Sequence, residues 1–324
     1  MQEQRKIILI SLITGIVLMV AKFSAYFLTA SNFILTDAAE SIVNVVASAF
    51  AFFSIYLSSR PKDINHPYGH GKVEFFSVFV EGILILIAGI VIVVKSAYGL
   101  FHPNEVHDVL KGASIIGATG IINGVLGWYL IKKGESLRSM TLDADGRHLL
   151  TDMVTSGGLV IGLTLIYFTK IAILDNVLSI AVAGYIIFTG YKLTRRAIAG
   201  LMDEADFKIV EHVIAILNAK RKVEWIDVHN LRAQKYGNEL HIDCHMTLPN
   251  YFDLNRVHHE VQLVDVLINQ EASIKTELFI HTDPCIPACC HYCSMPDCPI
   301  RSEPKSKDIE WTMDNVTRNK KHFE

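Results

Sequence analysis

The chain has 324 residues, of which 51% are hydrophobic and only 19% charged, with a formal net charge of −3 at pH 7. With a mean hydropathy of +0.32, that shortage of charge argues against a soluble domain of this size and for a membrane protein. No basic excess exists to bind a polyanion, which argues against nucleic acid as a partner.

Six apolar segments follow one another at roughly 7–29, 33–57, 75–100, 110–132, 146–169 and 172–194. Each approaches the ~20 residues that a bilayer requires. No small-residue cleavage site follows the first, which reads as a retained span and not as a signal peptide. Arg5 and Lys6 precede span 1, and Arg60, Lys62 and Lys72 lie between spans 2 and 3. Lys132, Lys133, Arg138 and Arg147 lie between spans 4 and 5, and Lys192, Arg195 and Arg196 follow span 6. The positive-inside rule then predicts that both termini are cytoplasmic.

Polar groups inside these segments are few. Span 2 carries Asp37, Glu40 and Asn44, span 3 carries Glu74 and Glu81, span 5 carries His148 and Asp152, and Asp175 flanks span 6 at the outer surface. Glu40 and Asn44 are one helical turn apart, as are His148 and Asp152, so each pair shares a helix face. Such groups are costly in lipid unless they are paired or coordinate something. One imidazole nitrogen with carboxylate and amide oxygens suits a near-tetrahedral divalent ion: zinc, or else cobalt, ferrous iron or manganese. Asp37, one turn before Glu40, is an alternative to Asn44 as a ligand, and a polar network tying two helices together is the simpler reading. Glu81 reads as a structural ion-pair or hydrogen-bond partner of a neighbouring helix. Gly82, Gly89, Gly157, Gly158 and Gly162 read as packing residues. Between spans 2 and 3, Asp63-x-x-His66-x-x-x-His70 offers a second set of ligands, although His66-Pro-Tyr-Gly69 is also turn chemistry.

After Gly200 the composition becomes that of a soluble domain. Phe207, Val210, Val213, Ile214 and Leu217 predict an amphipathic helix, and Trp225 to Gln234 a strand. Tyr236-Gly-Asn238 reads as a turn. Leu240, Ile242, Cys244, Met246 and Leu248 then alternate with polar residues as a second strand. A second helix through Leu254, Val257, Val261 and Val264, and a third strand from Ile274 to His281, complete an α-β-β-α-β order. That order predicts an abbreviated ferredoxin-like α+β module. His229, His245, His281 and Asp283 on its strands, with His258 on the second helix nearby, form a third candidate site. A fourth is Cys285-x3-Cys289-Cys290-His291-x-Cys293-x4-Cys298, where cytosolic thiolates bind metal more readily than they pair as disulfides. The predicted organisation is a six-span α-helical membrane domain at 1–200, a cytoplasmic module at 201–284 and a cysteine-rich tail at 285–324. No nucleophile–base pair or cofactor loop suggests an enzyme.

Several of these stretches together carry a family resemblance. Thr-Asp-Ala-Ala-Glu-Ser-Ile-Val-Asn44, Asn-His-Pro-Tyr-Gly-His-Gly71, His148-x-x-x-Asp152 and His-Thr-Asp-Pro284 resemble the cation diffusion facilitator family over about residues 5–285. The resemblance implies a homodimeric antiporter that exports a divalent metal from the cytoplasm against protons, with the transport site in the paired ligands of spans 2 and 5. It also implies an interfacial metal at Asp63, His66 and His70, and a binuclear regulatory metal site at the module's dimer interface. In the family the span 2 pair commonly ends in aspartate; Asn44 departs from that, which leaves the metal open. His148 and Asp152 match the pattern usual in zinc carriers. The expectation is a proton-coupled zinc exporter in the bilayer of the cell's inner (plasma) membrane. A carrier of iron(II), cobalt or manganese, or a membrane-anchored metal sensor, are the alternatives. The resemblance assigns no role to the cysteine-rich tail.

Overall fold

The computed structural model describes residues 2–323 apart from 30–31, 102–108, 170–172, 237–238 and 272–274. The side chains of Asp37, Glu40 and Asp175, and the predicted turn at 237–238, lie outside the described residues. The chain divides into two units, Met1–Met202 and Asp203–Glu324.

The first unit is built from α1 (Gln2–Thr29), α2 (Asn32–Ser58), α3 (Val73–Phe101), α4 (Val109–Leu137), α5 (Met140–Thr169) and α6 (Ile173–Leu201). Each helix covers one of the six apolar segments. Among the described residues, Gln2–Ser24, Val73–Leu100 and Ser114–Leu137 are long and apolar enough to cross a membrane. The unit is apolar outside and buries polar groups among its apolar core: Ile13, Val17, Val91, Val94, Val125 and Phe188 are exposed, whereas Ser48, Glu81, Asn123, Asp145 and His148 are buried. A water-soluble bundle has the opposite arrangement, and this one fits lipid as its solvent.

Close backbone approach holds the helices. On the α3–α6 contact, a Cβ added at Gly82 would stand 2.8 Å from the Thr194 amide, and one at Gly190 2.8 Å from that of Leu86. Such glycines let helices pack where no hydrophobic effect drives them together. Gly89 is equally crowded, against Ile187, whereas a Cβ at Gly157 would meet nothing within 4 Å among the described residues.

The basic stretch read as a connection between spans 4 and 5 is mostly helix. Helix α4 continues to Leu137 and α5 starts at Met140, with a tight turn at Arg138 (φ 52°). Asp143 and Asp145 therefore lie on α5. Asp145 accepts hydrogen bonds from Ser11 of α1 (2.6 Å) and Ser48 of α2 (2.9 Å), tying three helices. Asp143 pairs with Arg196 of α6 at 2.9 Å and with Arg147 at 3.1 Å. Glu81 is fully buried, and among the described residues neither of its oxygens has the hydrogen bond expected of it.

The second unit contains α7 (Phe207–Ala219), β1 (Asp227–Tyr236), β2 (Glu239–Leu248), α8 (Leu254–Glu271), β3 (Lys275–Pro284) and a single turn, α9 (Met313–Val316). Asp206 caps α7, its carboxylate accepting the Lys208 amide at 3.2 Å. The sheet order is β1-β2-β3, with β1–β2 antiparallel and β2–β3 parallel, as α8 crossing over requires. The alternating set Leu240, Ile242, Cys244, Met246 and Leu248 is buried against Val213 and Leu217 of α7 and Val264 and Ile268 of α8. A bulge between His229 and Arg232 breaks the β1–β2 register, with Asn230 at φ 54°.

The segment after Cys285 is part of this unit. Trp311 and Val316 enter the same core, the Trp311 carbonyl accepts the Asn218 amide at 2.7 Å, and the Arg221 guanidinium lies 4.0 Å over the Trp311 ring.

Candidate metal centres

In the first unit α2 and α5 bring Asn44, His148 and Asp152 together. The Asn44 amide oxygen lies 2.9 Å from His148 Nε2, and its nitrogen donates to Asp152 Oδ2 at 2.5 Å. His148 Nε2 is 4.0 Å from the same Asp152 oxygen. An amide oxygen only accepts, so in this arrangement Nε2 carries the proton. His148 Nδ1 is buried and has no hydrogen-bond partner among the described residues. A buried imidazole with one nitrogen orphaned and the other near a carboxylate is poised for a cation or a proton.

Between α2 and α3, Asp63, His66 and His70 offer three ligand atoms within 4.8 Å of one another. Asp63 Oδ1 accepts the amides of Asn65 (2.9 Å) and His66 (2.7 Å), a local turn that also brings His66 Nδ1 to 3.1 Å. Hydrogen bonding from the His66 amide outweighs burial and holds Asp63 below the usual carboxylate range. Gly69 supplies the positive φ (87°) that returns His70 to the same carboxylate, at 3.4 Å. The turn chemistry and the ligand geometry are one structure.

The second unit holds a similar group made by three strands: His229 of β1, His245 of β2 and Asp283 of β3, with ligand atoms again within 4.8 Å. The register places His229 opposite His245 and His245 opposite His281. Asp283 Oδ2 lies 3.5 Å from His229 Nε2 and 3.4 Å from His245 Nδ1. His281 is mostly exposed, 3.7 Å from Asp283 Oδ1. His258 is exposed on α8 and joins no such group among the described residues. The reason is alternation: α8 packs on the sheet face that carries Cys244 and Met246, and His245 points to the other.

One member of this site escaped the sequence reading. Asp227 Oδ1 stands 3.2 Å from His229 Nδ1, which turns Nε2 toward Asp283. Its other oxygen accepts Tyr292 Oη at 3.1 Å and the His322 amide at 2.9 Å. Burial pushes this carboxyl up, but the hydrogen bonds from His229 and the His322 amide outweigh that and hold it below its ordinary value. Asp-x-His on one strand face was the available signal. Lys321 also reaches the site, 3.8 Å from Asp283 Oδ2.

Cys285, Cys289, Cys290, Cys293 and Cys298 are all free thiols lining one cavity beside β1. His291 is not among the cavity's lining residues; its ring packs edge-on against Tyr292. The thiols differ in reactivity. Burial pushes buried Cys244 up to about 12. Burial also acts on Cys290, but hydrogen bonds from Ser302 and the Glu303 amide, with the Arg301 charge, outweigh it and lower this thiol. Brief iodoacetamide treatment followed by mass mapping is expected to label Cys290 well before Cys244. Earlier labelling of Cys244 would contradict this account of the core.

Comparison with known proteins accords with both units. Residues 8–202 match the cation efflux transmembrane domain, and residues 205–285 match the cation efflux protein cytoplasmic domain. An uncharacterized transporter of Synechocystis is 31% identical over 76% of this chain and 80% of its own. The manganese efflux system protein MneP of Bacillus subtilis is 27% identical, over 87% of this chain and 97% of its own. A cation-efflux pump, FieF, of Shewanella oneidensis is 24% identical over 85% and 92%.

Proposed function

The chain belongs to the cation efflux, or cation diffusion facilitator, family of multi-pass membrane transporters, and from that premise we propose that it exports a divalent transition metal, zinc first, from the cytoplasm in exchange for protons. The observation that carries this reading is the Asn44–His148–Asp152 set inside a helix bundle with an apolar outer face. His148 must be neutral to bind metal, so metal entry displaces the proton of an imidazolium and acidification favours metal release. Glu40, one turn from Asn44 on α2, would supply the fourth ligand and a second negative charge; Asp37 is the alternative to Asn44. Asn44 is a neutral ligand, and the moderate affinity it confers suits an ion that has to leave again. Transport of zinc, iron(II), cobalt and manganese into inside-out vesicles under a pH gradient tests the reading. Zinc uptake that collapses with the gradient is expected, and uptake of no metal would defeat it.

A second reading, manganese as the cargo, draws on the name of the Bacillus relative and on the oxygen ligands at Glu40 and Asn44. The same vesicles rank the two metals.

In this reading the second unit pairs with that of another copy in the cytoplasm, both termini are cytoplasmic, and the membrane is the cell's inner membrane. His229, His245 and Asp283 would hold a regulatory divalent ion there, with His281 at its edge, and Asp63, His66 and His70 another. Asp227 would act through His229 by fixing its tautomer and orientation. Asp227→Asn is therefore expected to weaken zinc binding at this site about ten- to hundredfold, measured by calorimetry on the detergent-solubilised chain. An unchanged affinity would remove Asp227 from the site.

A further inference from the structure

The cysteine loop carries chemistry that transport and regulation leave unused. It leaves β3 at Pro284, makes a 3-10 turn at Pro287–Cys289 and folds back so that Cys289, Tyr292 and Cys293 pack with Ile226 in a small core of their own. The Arg301 guanidinium pins it by donating to the carbonyls of Cys290 (3.2 Å), Cys293 (3.3 Å) and Met295 (2.6 Å). So fastened, the loop lines a partly open cavity of about 200 Å³, with Ile226 and Pro249 among its other walls.

We propose that Cys285, Cys289, Cys293 and Cys298 hold an iron–sulfur cluster of the four-iron class in this cavity. Four cysteines from one short loop are the ligand set such a cluster takes. The spacing of the sulfurs separates it from zinc. A tetrahedral zinc with Zn–S bonds of about 2.3 Å draws its sulfurs to within about 3.8 Å of one another. The two histidine–aspartate groups have three ligand atoms within 4.8 Å, whereas among the described residues no three of the tail thiols do. In a cluster the thiolates sit on different irons and stand further apart. Size points the same way: on this measure one water needs about 10–15 Å³, and a single ion would leave most of this cavity to solvent.

The surroundings suit thiolates carrying a cluster. The Asn250 amide points to the Cys285 sulfur, and the Met295 amide to that of Cys293, with the Arg301 charge nearby. Amide–sulfur hydrogen bonds and a neighbouring cation stabilise bound thiolates. Cys290 also lines the cavity, but its sulfur already accepts Ser302 Oγ at 3.5 Å.

The test is iron and acid-labile sulfide content of the full-length chain, purified without oxygen and reconstituted with ferrous iron and sulfide. About four irons and four sulfides per chain are expected, with a broad visible absorbance that dithionite bleaches. Cys289→Ser and Cys293→Ser are expected to lose most of both, and Cys290→Ser to keep them. One zinc per chain without labile sulfide would overturn the proposal, and so would no iron uptake by the wild-type chain. Should the serine variants not fold, the wild-type composition decides alone. Asp152→Asn is expected to retain the cluster, so failure here and failure of the transport reading remain distinguishable.

Discussion

Asp152→Asn is expected to lower metal flux through the reconstituted transporter by about two to three orders of magnitude, while the protein still folds and inserts. The substitution keeps size and hydrogen bonding but removes one of the two negative charges proposed for the site, beside Asn44 and His148. Removing one partner of a buried ionic interaction costs about 3–5 kcal/mol, which at about 1.4 kcal/mol per decade gives that loss of occupancy. The metal-free protein has less to lose, because the asparagine can still accept from Asn44. The measurement is initial zinc uptake into proteoliposomes, with detergent gel filtration as the control for folding. Uptake within a few-fold of wild type would mean that Asp152 ties helices together and binds no cargo.

Glu260→Ala is expected to destabilise the second unit by about 3 kcal/mol or more. Glu260 is fully buried on α8, yet two hydrogen-bond donors and a guanidinium converge on it. Its Oε2 accepts Trp225 Nε1 at 2.9 Å and Lys222 Nζ at 3.2 Å, and the Arg256 guanidinium closes to 3.2 Å of Oε1. Alanine would leave the buried indole N–H of Trp225 without its acceptor and open a cavity beside it. Lys222 and Arg256 are partly exposed and can turn to water, so the indole and the cavity carry most of the loss. Thermal unfolding of the solubilised chain, followed by tryptophan fluorescence, checks it: a clear fall in the transition assigned to this unit is expected. An unchanged transition would show that the carboxylate gains nothing from its burial.

What the sequence revealed and what it concealed follow from the range of the signals. Six apolar runs of bilayer length announced six helices, and the one-turn spacing of His148 and Asp152 announced a shared face, because both are local periodicities. Asp143 and Asp145 were missed because Thr-Leu-Asp-Ala-Asp145 is polar and looks like a connection. Only the approach of α1, α2 and α6, each with its own hydrogen-bonding or basic partner, makes helix favourable there. The strand pattern through Leu240 and Met246 gave the sheet, and the grouping of His229, His245 and Asp283 followed from neighbouring strands. The same alternation, applied to the helix side of the sheet, would have excluded His258. Trp311 and Val316 are single apolar residues in a polar stretch and have no period to betray them; their burial is decided by a core formed about a hundred residues earlier. The spacing of cysteines in the tail likewise says nothing of the distance between their sulfurs, which is where zinc and a cluster part.

The central claim is that Asn44, His148 and Asp152 form a site exchanging metal for protons. Its most direct test follows zinc entry and proton exit together in proteoliposomes of the wild-type chain, with a metal-sensitive dye inside and an imposed pH gradient. Zinc entry matched in time by proton exit, and abolished in Asp152→Asn, is the predicted result. Zinc bound tightly by the protein, with neither flux for zinc nor for iron(II), cobalt or manganese, would contradict it.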